Sequence, residues 1–360
     1  MHDFRIAVIP GDGIGIEIMT SCLEVLDALE KKHGGFRLIR ENIDAGAKYF
    51  KETGVDISDE AFRKTGEADA ILLGAIGLPE IRHEDGTEIT PHLRMRIAYN
   101  LIAGLRPVKA FPNMPIPLKD ERAQDIDLVI VRESTEGLFA SLGKGILEND
   151  TEARETLKIT RAVCEPLFDQ TFSLARRRKT KGHPGKVTCV DKSNVFVSMA
   201  FFRKIFDERA ILYPDIETDY RYVDAAALDL IRKPWEFDVM VMENMFGDIL
   251  SDVGAGIVGG MGFAPCAELG SNHGLFQPSH GSAPDIAGQD KANPTAMLLS
   301  AAMMLEWLGE RHDVVSCQNA ANDLNEIIYG LYADFALQPI ELGGPDGTVA
   351  YTKKVLDRLN

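Results

Sequence analysis

Along most of the chain, short runs of consecutive apolar residues alternate with longer stretches in which apolar residues recur every three or four positions. The first pattern predicts buried strands and the second amphipathic helices, so their alternation predicts an α/β fold. Strands are expected at FRIAVIP (4–10), FRLIREN (36–42), DAILLGA (69–75), LRPVKAF (105–111), DLVIVRE (127–133), KVTCVD (186–191) and FDVMVME (237–243). Helices are expected at 14–32, 58–67, about 154–178, 196–208 and from the end of the last strand to about Val258. Gly254, Gly256, Gly259, Gly260 and Gly262 then break the pattern, 263–292 reads as loop-rich, and helices follow near 294–309, 319–334 and after Tyr351. No internal repeat or low-complexity tract interrupts this order.

Composition narrows the class. The 360 residues accommodate two domains at roughly 100–200 residues each. Hydrophobic residues at 45% and charged residues at 26% exclude global disorder. Lys and Arg number 39 against 55 Asp and Glu, a net charge of −16, which opposes binding to a phosphate backbone and excludes nucleic acid as a partner. An anionic substrate then needs a local cationic pocket. The five cysteines are odd in number and contain no CxxC pair, so neither a zinc site nor a disulfide framework is indicated, and reduced thiols of a cytoplasmic protein are expected. FRIAVIP is too short for a signal segment, and no run approaches the roughly 20 apolar residues of a membrane span.

Four features carry candidate chemistry. ProGlyAspGlyIleGly at 10–15 lies between a strand and a helix but lacks the GxGxxG spacing, so it reads as a tight turn as readily as a nucleotide site. Asp248 and Asp252 are four residues apart after a strand end, which puts both carboxylates on one helix face, as a hard divalent cation requires; Asp224 begins another helix upstream. Arg96, Arg106 and Arg132 stand at helix or strand ends and could grip more than one carboxylate bidentately. SerHisGlySerAlaProAspIleAlaGly at 279–288, followed by AlaAsnPro at 292–294, makes a fixed loop whose backbone amides can approach a ligand. Lys192, just past KVTCVD, is a candidate base beside a metal.

Together these motifs resemble the isocitrate/isopropylmalate dehydrogenase family, metal-dependent 2-hydroxy-acid oxidative decarboxylases that include the 3-isopropylmalate, tartrate/D-malate, isocitrate and homoisocitrate enzymes. IleAlaValIleProGlyAspGlyIleGlyIleGlu, LeuArgPro (105–107), ValArgGlu (131–133), AspLysSerAsnVal (191–195), AsnMetPheGlyAspIleLeuSerAsp (244–252) and HisGlySerAlaProAspIleAlaGly (280–288) occur in the family's order and spacing. The resemblance implies a two-domain α/β fold distinct from a Rossmann domain. A large domain of 1–107 plus 259–360 would carry the cofactor loop 277–294, and a small domain of 108–258 a dimerisation arm at about 140–186. It implies a homodimer in which Lys192 and Asp224 enter the neighbouring subunit's site. It further implies that Arg96, Arg106 and Arg132 bind substrate carboxylates, that Asp224, Asp248 and Asp252 ligate Mg²⁺ or Mn²⁺, and that Lys192 takes the hydroxyl proton. Asn194 would position the nicotinamide. In the loop formed by His280, Gly281, Ser282 and Ala283, His280 and Asn293 would hold adenine. Asp285 with Ile286 would select NAD over NADP, because an acid there repels a 2′-phosphate.

The chain departs from the family pattern in three places. Where the family carries a tyrosine that protonates the enolate carbon, this chain has Phe139, which cannot donate a proton. Either another group supplies it, or decarboxylation is inefficient, or the chain is a non-catalytic regulatory subunit. The residues that would read the substrate's variable group are mixed: Leu93 and Val195 suit an apolar group, Thr90 and His92 a polar one. Gln277 replaces a glutamate common in NAD-using isopropylmalate enzymes. The expected activity is NAD-dependent oxidation of a malate-type acid, with 3-isopropylmalate the best single label and tartrate, D-malate, isocitrate or homoisocitrate the alternatives.

Overall fold

The computed structural model describes residues 1–360. In chain order the elements begin β1 (His2–Gly11), α1 (Gly15–His33), β2 (Phe36–Asn42), α2 (Ala47–Thr53), α3 (Asp59–Glu67), β3 (Ala70–Ala75) and α4 (Pro91–Ala98). They continue with β4 (Ala103–Lys109), β5 (Asp127–Glu133), β6 (Ile146–Glu148), β7 (Glu152–Arg154), α5 (Arg161–Thr180), β8 (Lys186–Asp191), α6 (Val197–Ala210), β9 (Glu217–Tyr222), α7 (Val223–Arg232), β10 (Val239–Met242) and α8 (Asn244–Ile257). The chain ends with β11 (Pro265–Leu269), β12 (Gly274–Pro278), α9 (Thr295–Arg311), α10 (Val315–Ala333) and α11 (Thr348–Leu359). No helix is long and apolar enough to cross a membrane.

Two compact units form. The first comprises Met1–Tyr99, Phe111–Pro115 and Gly259–Asn360. Its strands lie in the order β2-β1-β3-β12-β11, with β1 parallel to β2 and β3, β12 parallel to β3, and β11 antiparallel to β12. In α9 apolar residues surround the whole circumference, and the helix is accordingly buried along nearly all its length. Phe111 stacks on Tyr329 with ring centroids 4.6 Å apart and meets Phe263 edge-on, which anchors the short 111–115 segment in this unit.

The second unit comprises Asn100–Ala110 and Ile116–Val258, with strand order β4-β5-β10-β8-β9. Strand β4 runs antiparallel to β5, and the other pairs are parallel. Alternation explains why both faces of this sheet are covered. Val129, Val131, Val239 and Val241 pack with Phe168, Phe172, Phe202 and Phe206 of α5 and α6. Their neighbours Leu128, Ile130, Met240 and Met242 pack with Leu230 and Leu250 of α7 and α8.

Several expectations shift. The boundary expected at 107/108 falls inside β4, because β4 pairs with β5 over all seven residues and so belongs with the second unit. Within 140–186 the β6–β7 hairpin is exposed, with Ile146 and Leu147 open to solvent, and α5 supplies Phe168 and Phe172 to the core. The loop-rich 263–292 contains β11 and β12, and α2 and β9 also lie outside the expected elements.

Candidate active site

In the second unit the site grows from the carboxyl ends of β5 and β10. Met242 stands opposite Arg132 in the register, so β10 delivers the start of α8 beside that arginine. The side chain of Glu243 accepts a hydrogen bond from Phe246 N, 3.3 Å away, and caps α8. Arg132 is buried. Its Nε donates to Asn244 Oδ1 at 2.8 Å, and Asn244 in turn donates from Nδ2 to Glu136 O at 2.9 Å, so the guanidinium plane is fixed at two removes. Its Nη1 pairs with Asp248 Oδ1. Gly247 permits this approach, because a Cβ there would lie 2.7 Å from Cβ and Cγ of Arg132.

Asp252, one turn on from Asp248, has its carboxyl pushed above the usual range, first by partial burial and then by the negative charge of Asp248, with Arg106 and Arg132 opposing. Two acids that repel each other on one helix face form a donor set that a divalent cation would relieve. Arg106 is buried on β4, whose register sets it opposite Ile130. The Phe139 ring lies 5.1 Å from the Arg132 guanidinium carbon, a cation–π distance.

Lys192 and Asp224 form a separate pair in the same unit. Lys192 Nζ donates to Asp224 Oδ1 at 2.6 Å, and this bond holds the Asp224 carboxyl below its ordinary range. Asp224 starts α7, and the parallel register Asp191↔Tyr222 brings the two segments together. Asn194 and Val195 are exposed just beyond Lys192. Within one chain Asp224 does not converge with Asp248 and Asp252, for no group of three potential metal-ligating side chains forms.

In the first unit, Thr90 precedes Pro91 at the start of α4, and Thr90, His92 and Leu93 are half-buried. Arg96, on the last turn, is 4% exposed; its Nη2 pairs with Glu268 Oε1 at 2.8 Å, and its Nε is buried without an acceptor. Glu268 was invisible to motif reasoning, since a single acid in a segment read as loop carries no signal.

The glycine turn at 10–15 is a tight turn with a second role. Gly11 and Gly13 adopt left-handed backbone, with φ of 74° and 54°. The buried carboxylate of Asp12 accepts from Ala47 N at 2.7 Å, Lys48 N at 2.9 Å and Gly77 N at 2.9 Å. Ile14 N then donates to Ser282 O at 2.8 Å, and Ser282 Oγ donates to Gly77 O. A Cβ on Gly13 would lie 2.1 Å from Ser282 O, so the turn is the backing against which the 280–288 loop rests.

Within that loop His280 Nε2 is buried with no partner, and burial lowers the imidazole pKa below its ordinary value. Gly281 faces open space, Ala283 has a left-handed φ of 37°, and Asp285 is exposed with Ile286 half-buried beside it. Asn293 is less available than its motif suggests. Its Oδ1 accepts from Thr295 N and Oγ1, and its Nδ2 donates to Glu341 Oε2 at 3.0 Å.

The isocitrate/isopropylmalate dehydrogenase family profile matches residues 5–330. A 3-isopropylmalate/3-methylmalate dehydrogenase of Methanocaldococcus jannaschii is 40% identical over 360 residues, covering 100% of this chain and 99% of its own. A 3-isopropylmalate dehydrogenase of Heyndrickxia coagulans is 39% identical over 366 residues, covering 99% of this chain and 96% of its own. Among solved structures, isocitrate dehydrogenase from Methylococcus capsulatus superposes with a TM-score of 0.85 at 33% identity, covering 100% of this chain and 99% of that one.

Proposed function

The chain belongs to the isocitrate/isopropylmalate dehydrogenase family and is an oxidoreductase acting on a CH–OH group; from that premise we propose that it oxidises a malate-type 2-hydroxy acid, best 3-isopropylmalate, with NAD and Mg²⁺ or Mn²⁺. The observation that carries this reading is the buried, doubly tethered Arg132 beside the Asp248–Asp252 pair. A cation fixed by Asn244 and flanked by two mutually repelling acids is suited to a substrate that presents a carboxylate to both an arginine and a metal.

Asp248 and Asp252, with Asp224 of a second copy, would hold the metal, which supplies Lewis acidity to the substrate hydroxyl when bound. The separation of the Lys192–Asp224 pair from the α8 acids within one chain supports a homodimer whose sites are completed across the interface. Lys192, whose Nζ is held by Asp224 Oδ1 at 2.6 Å, would be the group that takes the hydroxyl proton. Arg96 and Arg106 bind the remaining carboxylate groups, and Thr90, His92, Leu93 and Val195 surround the variable substituent. A nicotinamide held by the 279–288 loop and Asn194 would supply the hydride acceptor.

The 279–288 loop fits a dinucleotide. It offers an orphaned buried imidazole nitrogen on His280, an uncrowded glycine at Gly281 and an exposed carboxylate at Asp285. Asp285 accepts from ribose hydroxyls and repels a 2′-phosphate. Asn194 orients the nicotinamide, while Asn293, whose side chain is engaged, shapes the loop's far end. The test is a panel of malate, tartrate, 3-isopropylmalate, isocitrate and homoisocitrate with NAD and Mn²⁺, scored for NADH. The highest kcat/KM is expected with 3-isopropylmalate, and no NADH from any member would refute the proposal.

A further inference from the structure

Asp191 closes β8 with its carboxylate wholly buried. A buried charge persists only when it is paired and hydrogen-bonded. Here the fork of Arg203, from α6, does both: Nε donates to Oδ2 at 2.6 Å and Nη2 to Oδ1 at 3.0 Å. The same Oδ1 accepts from Ser193 N at 2.8 Å, which folds the backbone back over Lys192. Lys192 O then accepts from Val195 N at 3.0 Å and Phe196 N at 3.1 Å. The turn that presents Lys192 is thus fixed from its inner side, by Asp191 and by its own backbone. Its outer side lends no packing within one chain, since Val195, Phe196 and Val197 are exposed.

Arg203 also reaches the segment that carries Asp224. Its guanidinium carbon lies 5.1 Å from the Tyr220 ring and 5.4 Å from the Tyr222 ring, and Lys192 Nζ lies 5.9 Å from the latter. Tyr220 is itself tied, its hydroxyl donating to Asp207 Oδ1 at 2.7 Å. Tyr222 directly precedes α7, and Asp224 stands in the first turn of that helix. One guanidinium therefore braces both segments whose side chains meet as the Lys192–Asp224 pair.

We propose that Asp191 and Arg203 are positioning residues for the reaction, holding the Lys192 amine where the substrate hydroxyl gives up its proton. The inference rests on the reading above that Lys192 is the proton acceptor. Both residues act through the turn and not on the reacting atoms, while the arginines read as binding the acid come from α4, β4 and β5. Loosening the turn should therefore slow the chemical step and leave the grip on the acid intact.

The experiment has two readouts on the full chain: kcat and KM for the best acid of the panel with NAD and Mn²⁺, and amide hydrogen exchange without any ligand. Arg203→Lys keeps a cation opposite Asp191 but cannot form the fork, and Asp191→Asn keeps an oxygen for Ser193 N but loses the charge. Because a misplacement of about 1 Å can cost about a hundredfold, each variant should lower kcat by about ten- to a hundredfold. KM for the acid should stay within about twofold of its original value. Exchange at the amides of Ser193, Val195 and Phe196 should be slow in the unaltered protein and fast in Arg203→Lys, while the amides of β8 remain protected. An unchanged kcat, a loss carried by KM, or exchange that rises equally through β8 overturns the inference; the last is the mark of a merely structural role. If neither variant folds, a fast-exchanging Ser193 amide in the unaltered protein still overturns it, and a slow one supports it. Turnover with an unchanged kcat in Arg203→Lys removes this inference alone, whereas no turnover of any acid by the unaltered protein removes the functional reading and this inference with it.

Discussion

Substituting Phe139 by tyrosine tests whether the chain lacks a proton donor at the point where decarboxylation needs one. The ring is half-buried, in the short helix Leu138–Ser141 that follows Gly137, and it faces the Arg132 guanidinium at 5.1 Å. A para hydroxyl therefore adds a donor on the rim of a ring already held against Arg132, the arginine proposed to bind substrate. General-acid catalysis typically contributes about 10²–10⁴-fold, which corresponds to about 3–5 kcal/mol of barrier at about 1.4 kcal/mol per factor of ten. The assay follows reduced nicotinamide by absorbance and CO₂ by a separate coupled measurement on the same substrate. If protonation of the enolate carbon limits the unaltered chain, Phe139→Tyr should raise CO₂ release relative to NADH formation and carry the overall rate upward within that range. A stoichiometric CO₂ yield at an undiminished rate before substitution, with no gain after it, would refute the reasoning and locate the donor elsewhere.

Three further outcomes are expected. Asp12→Asn removes the charge that accepts three backbone N–H groups, and at about 1.5–3 kcal/mol for hydrogen bonds to a charged group it should lower the thermal midpoint and raise KM for NAD more than KM for the acid; an unchanged KM for NAD would show that the turn does not support the loop. Burial is the main cause that raises the Glu133 carboxyl from 4.5 to about 7, against donors from Thr135 and Glu136. Because that value is raised in the folded state, its stabilisation is complete below the unfolded value and lost as pH rises towards and through 7. Relative to Glu133→Gln, the unaltered protein should therefore lose roughly 3 kcal/mol of unfolding free energy over that interval, and parallel stability–pH curves would count against it. Replacing Asp285 by Lys with Ile286 by Tyr should move the ratio of kcat/KM for NADP to that for NAD upward by at least about tenfold, since a cation replaces an acid opposite the 2′-phosphate; a ratio that stays put would mean the loop does not read the ribose.

The α/β class was legible because strands buried on both faces leave continuous apolar runs, and DAILLGA and DLVIVRE are such runs. Spacing alone placed Asp248 and Asp252 on one face of α8, since four residues make about one helical turn. The motifs of the 280–288 loop were equally plain, because glycine and proline restrict backbone locally. Strands β11 and β12 were not, since they are short and lie among glycine, asparagine and serine that resemble loop.

What the sequence by itself determined was which of the longer, strongly patterned elements form and which residue types stand at their ends, because these follow from neighbours within a turn or a pleat. Only the tertiary structure decided that the 10–15 turn backs the 280–288 loop, that Asn244 fixes Arg132, that Lys192 meets Asp224 and that Glu268 pairs with Arg96. Each of those pairings joins segments far apart in the chain. Their meeting depends on strand order and on the cost of burying a charge without a partner, neither of which any local pattern encodes.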